Sequence, residues 1–300
     1  MYSGFPRDLL TLLLCPVDRG CLTVEGEGSR VRHGALTCKT CKRTFVIRDG
    51  IVDFFESRLL DDESRNEHSR RDETAPRADA AWEKSPINEM EIGPTMEASA
   101  PLQDARVLEV GAGMGRHTVR MLHLGAHVVA LDFSRESLMK LAGRVSDDAP
   151  IGLVQADCTR FWTRRGSFDL VASTLMSNLP TPKHREGVMR LGVWALKPTG
   201  RFVFGVHHHG FWNWIRRERK SGHYPEAAIY RYCFTPDEIV RETKSHFIDV
   251  KVIPMQITFP LTARLGLPVV WMSRVASHVR LFKIFAQLLL IVASQPVELP

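Results

Sequence analysis

The chain has 300 residues, 44% of them hydrophobic and 25% charged, a size and balance that suit one large globular domain or one large and one small. Its net charge of +6 is too modest to demand a nucleic-acid partner. Its six cysteines, four of them before residue 42, do not have the pattern of a secreted disulfide framework.

The apolar run Leu9–Leu14 is short, has no basic segment before it and runs into Cys15-Pro16, so a secretory leader is not expected. No charge-free run approaches the about 20 residues that cross a bilayer. A cytoplasmic location is the expectation. The first fifty-five residues read as a separate small module. Cys15-Pro-Val-Asp-Arg-Gly-Cys21 leads into a short strand at Leu22–Glu25 and a turn at Gly26–Ser29. Strand-like Ala35–Thr37 precedes Cys38-Lys-Thr-Cys41, and Thr44–Ile47, the turn Asp49-Gly50 and apolar Ile51–Phe55 follow. Two cysteine knuckles joined by a hairpin are zinc-ribbon architecture. Cys15, Cys21, Cys38 and Cys41 are the candidate ligands of a structural Zn2+. A regular knuckle would carry cysteine at position 18, where this chain has Asp18. Either Cys21 or Asp18 completes the set, or the module is a metal-free mini-barrel. The phrases Leu13-Leu-Cys-Pro-Val17 and Phe45-Val-Ile-Arg-Asp-Gly-Ile-Val52 resemble Trm112-like domains.

Between Arg58 and Arg77 charges of both signs crowd together with Pro76, as in a solvated linker or exposed helix. Ala80–Met96 carries Trp82, Ile87, Met90 and Ile92 and suits a helix packed on the following domain.

The stretch Arg106–Asp132 then organises the chain. Val107–Val110 is a strand; Gly111, Gly113 and Gly115 alternate behind it; Val119, Met121, Leu122 and Leu124 have helical spacing, closed by Gly125; His127–Leu131 is a second strand, ending in Asp132. Strand, glycine turn, helix, strand and acid form a nucleotide-binding βαβ unit. Bare backbone lets a ligand approach closely, and a carboxylate at the strand tip can accept two ribose hydroxyls. The dinucleotide fingerprint would place a third glycine at 116, which is Arg116 here, and Glu109 stands two residues before the first glycine. That carboxylate repels a pyrophosphate and attracts an ammonium and a sulfonium, so the charges favour S-adenosylmethionine over NAD.

From Arg106 to Pro296 the chain resembles class I S-adenosylmethionine-dependent methyltransferases. The resemblance implies an α/β fold: a seven-stranded Rossmann-like sheet whose last two strands form an antiparallel pair, preceded here by the small β-rich module. It places Glu109, Gly111, Gly113, Gly115, Asp132, Phe133, Asp157, Cys158 and Ser173 around the cofactor. Phe133 would lie beside the adenine and Asp157 would take its exocyclic amine, though a core residue and a cap are the plain alternatives. Expected domains are 1–56, a linker with helices at 57–100, and a methyltransferase domain at 101–300 with lid insertions at 207–233 and 261–285.

The remaining elements follow in order. Ser134 caps a helix to Gly143; Ile151–Ala156 and Phe168–Thr174 are strands; Lys183–Leu196 is a helix; Arg201–Val206 is strand five, within the family-like phrase Leu196-Lys-Pro-Thr-Gly-Arg-Phe-Val-Phe204. Thr235-Pro-Asp-Glu238 is a capping box, and Phe247–Phe259 and Gln287–Ser294 close the sheet. The first insertion holds His207, His208 and His209, then Phe211, Trp212 and Trp214 and a basic cluster; His207 or His208 is the candidate general base, since histidine titrates near neutrality. The second lies in a stretch, Val250–Val297, that has no carboxylate but has Lys251, Arg264, Arg274, Arg280 and Lys283 among large apolar residues. Such a stretch suits a membrane-surface or lipid contact, or a lid packed on its own domain.

After strand four stands Ser177-Asn-Leu-Pro180 rather than an Asn-Pro-Pro-Tyr motif, which argues against N6-adenine or glutamine acceptors. The leading expectation is O- or C-methylation of a small apolar or lipid-like acceptor. One rival is an RNA guanine methyltransferase with a zinc-ribbon RNA-binding domain; the other is a non-catalytic partner that keeps the fold.

Overall fold

The computed structural model describes residues 2–74, 85–174, 176–224, 229–259 and 266–297. The amino-terminal module is an antiparallel meander of β1 (Leu22–Glu25), β2 (Gly34–Cys38), β3 (Thr44–Arg48) and β4 (Ile51–Asp53). Asp49 and Gly50 turn β3 into β4 with φ of +55° and +76°, the left-handed pair that a two-residue hairpin requires. The run Leu9–Leu14 is core: Leu9, Leu10, Leu12 and Leu13 are buried, and the Leu14 N–H donates to the Trp162 carbonyl at 3.1 Å.

Two helices follow, α1 (Asp62–Thr74) and α2 (Pro86–Ser99). Asp61 caps the first by accepting the Ser64 N–H at 2.8 Å, and Ser85 caps the second. Ala80–Lys84, including Trp82, lie outside the described residues.

The main sheet then alternates with helices: β5 (Arg106–Val110), α3 (Arg116–His123), β6 (His127–Asp132), α4 (Arg135–Ala142), β7 (Ile151–Gln155), β8 (Phe168–Ser173), α5 (Pro182–Ala195) and β9 (Leu196–His208). A short helix α6 (Phe211–Ile215) and the hairpin β10 (Ser221–His223) and β11 (Tyr230–Phe234) fill the first insertion. Then come α7 (Pro236–Lys244), β12 (Phe247–Ile257), α8 (Val269–His278) and β13 (Ala286–Pro296). The expected capping box forms: Thr235 and Glu238 each accept from the other's backbone.

The seven strands run β7-β6-β5-β8-β9-β13-β12, the first five parallel and the last two antiparallel. The pleat sorts side chains: Leu108, Val110, Val129 and Leu131 join one core, while Val107, Val128 and Ala130 join the core on the opposite face. Residues 207–208 of β9 also pair in parallel with β11.

The small module is less separate than its composition implies. β4 pairs in parallel with β7, Ile51 against Leu153 and Val52 against Val154, so these thirteen strands form one sheet, apart from the two-residue pair Phe5–Pro6 and Arg30–Val31. Phe5, Leu36, Phe45 and Phe54 share a core cluster with Val154 and Phe161. An open edge at β7 would expose unpaired backbone, and β4 covers it.

Candidate active site

The βαβ turn is held by its own backbone. The Gly111 and Ala112 N–H groups donate to the Leu131 carbonyl at 2.8 and 3.0 Å, which pins the turn to β6. Gly111 and Gly113 take φ of +76° and +55°, and a Cβ on Gly113 would meet no atom within 4 Å. At the β6 tip the Asp132 carboxylate accepts the Gly113 N–H at 2.8 Å and the Ser134 N–H at 2.9 Å. Burial pushes this carboxyl above its ordinary range, while those two donors and the charge of Arg71 oppose the shift.

These groups open on a cleft of about 160 Å³. Gly111, Gly113, Asp132, Phe133, Asp157 and Cys158 all line it. Asp157 caps the next turn, its Oδ1 accepting the Thr159 N–H and hydroxyl, both at 2.8 Å. Burial, with Asp157 and Asp132 nearby, keeps the Cys158 thiol well above its ordinary pKa and therefore protonated.

Glu109 and Ser173 line an adjoining recess with Glu91, Thr95, Ser99 and His117; Thr174 borders both spaces. Burial pushes the Glu109 carboxyl up to about 8, although the Thr118 hydroxyl donates to it. Burial likewise lowers His117 to about 3. Its Nε2 and the Ser99 Oγ find no hydrogen-bond partner among the described residues. A buried carboxyl and two unanswered polar atoms suit a polar, cationic group in this recess.

Three expected site residues fall outside both spaces. Gly115 begins α3 with φ +84°, and its Cβ would come within 2.2 Å of Leu141 Cδ1, so it serves helix packing. His207 and His208 do not lie on an exit loop. β9 runs on through them, pairing His207 with both Cys233 and Leu288, and sends neighbouring side chains to opposite faces. His208 Nδ1–H donates to the Ala286 carbonyl at 2.8 Å, beside a separate groove with Phe211, Trp214 and Ile284. His207 Nε2 shares a 2.6 Å hydrogen bond with the Tyr224 hydroxyl, and burial lowers its pKa to about 4. Neither histidine meets the cleft.

The opposite wall of the cleft comes from the charge-rich segment that reads as a linker. Leu60 and then Ser64, Glu67 and Arg71 of α1 face Asp132 across it. Arg71 Nε pairs with Glu67 at 2.9 Å, and Asp72 accepts the Ser134 hydroxyl. The His68 ring stacks on Phe55, 4.5 Å between centroids, and meets Phe133 edge-on. Past the β8 exit, Asn178, Leu179, Pro180 and His184 complete the cleft. His184 Nε2 lies 2.9 Å from Asp61 and its Nδ1 2.7 Å from the Thr181 hydroxyl.

In the small module, donor atoms of Cys15, Asp18, Cys38 and Cys41 all lie within 4.8 Å of one another. Cys15 and Cys41 Sγ are 3.7 Å apart, close to the ~3.8 Å of two thiolates on tetrahedral zinc at about 2.3 Å each. The two knuckles are alike: the Arg19 N–H donates to the Cys15 carbonyl and the Lys42 N–H to the Cys38 carbonyl, and Arg19 and Lys42 both have φ +61°. Asp18 thus occupies the position of the second knuckle's Cys41. The Gly20 N–H holds its carboxyl down to about 2. Cys21, expected as the fourth ligand, is exposed, bridges to Leu14 through its backbone and stands outside the group.

Residues 107–200 match the family model described as a methyltransferase domain, and residues 7–50 match that of Trm112p-like protein. Over 110 residues the chain is 36% identical to a demethylmenaquinone methyltransferase of Clavibacter sepedonicus, covering 36% of this chain and 44% of that relative. It therefore spans less than half the length of that curated relative. A solved Burkholderia thailandensis 1,6-didemethyltoxoflavin-N1-methyltransferase, with bound 1,6-didemethyltoxoflavin and S-adenosylhomocysteine, is similar at TM-score 0.52 and 17% identity, over 90% of this chain and 99% of that one. One chain of the complex between the Haloferax volcanii Trm112 methyltransferase activator and a methyltransferase is similar at TM-score 0.51 and 16% identity, over 76% of this chain and 98% of that one. Identities this low establish the fold. Residues 107–200 thus match a methyltransferase domain and residues 7–50 a Trm112p-like protein, and the fold is that of solved methyltransferases.

Proposed function

We propose that this chain is an S-adenosylmethionine-dependent methyltransferase acting on a small, apolar O- or C-nucleophile. The observation that carries the reading is the joining of Gly111, Gly113 and Asp132 in one cleft, with Glu109 in the recess beside it. Asp132 has its two backbone donors on one side and the cleft on the other, which suits it to accept ribose hydroxyls. Phe133, Asp157 and Cys158 line the adenine end, and Glu109 answers the positive charge of the donor.

When bound, S-adenosylmethionine supplies an electrophilic methyl carbon; the bond to the acceptor forms as the bond to sulfur breaks, and the sulfonium becomes a neutral thioether. The protein's task is alignment and exclusion of water. Leu60 of the α1 side and Leu179 and Pro180 past β8 give the acceptor an apolar approach. An acceptor hydroxyl or carbon acid must also lose a proton. We assign that proton to His184, which lines the cleft; Asp61 engages its Nε2 and the Thr181 hydroxyl its Nδ1, so one of these bonds must open before the ring accepts. Turnover unchanged in His184→Asn would remove this role.

The demethylmenaquinone methyltransferase relative supports an apolar acceptor. The Haloferax complex of two chains supports reading the Trm112p-like domain as an activator supplied in the same chain, held to the sheet by β4. On this reading residues 1–56 are the activator, 57–100 bring the lid helices and 101–300 transfer the methyl group. Cys15, Asp18, Cys38 and Cys41 hold a structural Zn2+; four protein ligands leave no open position for catalysis.

Calorimetry with S-adenosylmethionine tests the central claim. Micromolar binding is expected, and no detectable heat at millimolar ligand would end it. Metal analysis of purified protein tests the knuckles, with about one zinc per chain expected.

A further inference from the structure

We infer that the face built by α6, α8 and the 3-10 turn Arg280–Phe285 docks on an anionic lipid bilayer. The first observation is that α8 is packed inside out. Its small residues Ser273 and Ala276 are buried, and the Ser273 hydroxyl accepts the Ile257 N–H at 3.0 Å. Its large apolar residues Val270, Trp271 and Val275 face solvent, Trp271 at 63% exposure. A helix stabilised only by its own domain would bury the large residues.

The second observation is convergence. Trp214 at 71% and Ile215 end α6 in solvent, and Leu281 at 70% and Ile284 do the same on the turn. Phe211 and Trp212 pack against Phe285 at 4.9 and 5.7 Å between ring centroids. Phe259 at the end of β12 packs against Phe285 and Phe282. Two insertions distant in sequence thus make one surface, and its exposed apolar residues exceed the scattered singles of an ordinary monomer.

The charge of that surface selects its occupant. Arg216, Arg217 and Arg219 follow α6, Arg274 sits on α8 and Lys283 on the turn, while positions 250–297 contain no carboxylate. Two acids reach the rim, Glu97 paired with Arg274 and Glu218 lying 3.7 Å from Arg216. A second copy of the chain would set like charges together. A polyanion such as RNA would answer the cations but leave Trp214, Trp271 and Leu281 in water. An anionic bilayer takes both: indole rings settle at the headgroup level and cations meet the lipid charge. No helix among the described residues is long and apolar enough to cross a membrane, so the contact is a surface one.

This face stands on exposure and charge and does not depend on the acceptor proposed above. The test sediments the full chain with vesicles of phosphatidylglycerol and phosphatidylcholine, against vesicles of phosphatidylcholine alone. Binding to the anionic vesicles is expected, falling steeply as salt is raised from about 0.05 to about 0.5 M. Arg216→Gln with Arg217→Gln should weaken it roughly thirtyfold. Trp214→Ala with Trp271→Ala should weaken it by about tenfold or more. All four side chains are exposed, so melting temperature and S-adenosylmethionine binding should stay as they are. Failure to sediment at low salt would overturn the inference, as would double variants that sediment like the unaltered chain. A concentration-dependent dimer abolished by the tryptophan pair would overturn it too, in favour of a second copy.

Discussion

One wall of the cleft is made of strand tips and backbone; the other is a single polar helix. On the sheet side Asp132, Gly111 and Gly113 are fixed by hydrogen bonds within about twenty residues of sequence, and by a sheet buried on both faces. On the helix side Ser64, Glu67 and Arg71 are placed only by the way α1 lies over α4 and the β8 exit, through contacts such as Asp72 with Ser134 and Asp61 with His184. A wall of the first kind exists before ligand arrives and sets affinity. A wall of the second kind has few buried apolar contacts and is the part that can open.

That contrast can be broken at either side. Asp132→Ala removes the anchor of two backbone N–H groups and, on the function proposed, the acceptor for two ribose hydroxyls. S-adenosylmethionine affinity should fall about a hundredfold by calorimetry, and a loss under threefold would deny the sheet wall its leading role.

Glu109 gives the next effect, through pH. Its folded pKa is raised from 4.5 to about 8, so the folded apo protein holds a proton that the unfolded chain releases, and this site's contribution to stability falls as pH rises between those values. A bound cation favours the carboxylate, so binding should expel a proton and tighten as pH rises from 6 toward 8. Calorimetry in buffers of different ionisation heat measures that proton, and Glu109→Gln should abolish both the release and the slope.

Arg71→Ala should do least. The Glu67–Arg71 pair is part-exposed, and such pairs contribute about 0.5 kcal/mol, so affinity should change roughly threefold or less. Hydrogen exchange in α1 should nonetheless quicken. A large affinity loss there would mean that the two walls are equals.

The sheet wall was legible in the sequence because its signals are local. Period-two strands, the glycine alternation and the acid at a strand tip each follow from a few neighbouring residues, and the caps at Ser134 and Thr235 likewise need only three or four positions. The glycine pattern could not show that Gly115 faces Leu141 rather than ligand, because the deciding contact comes from another helix. The histidines lie away from the cleft for a reason of strand length. Two residues beyond Val206 belong to β9 and not to a loop, an extension made by pairing with β11 and β13. Cys21 drew attention as a cysteine, yet the repeated knuckle geometry selects position 18. For α1 a signal did exist: Ser64, Glu67, His68 and Arg71 fall at i, i+3, i+4 and i+7, a polar stripe that apolar periodicity alone does not register.

The pairing of β4 with β7 also bears on the order in which the chain assembles. Residues 51–53 leave the ribosome about a hundred residues ahead of the strand they accompany, and domains at the amino terminus tend to form first during synthesis. The module can therefore stand ready as a template along which the growing sheet is completed. A chain made without residues 1–55 would emerge with β7 bare, and its fate should be self-association edge to edge, visible as light scattering on refolding and suppressed when the missing module is supplied as a separate peptide.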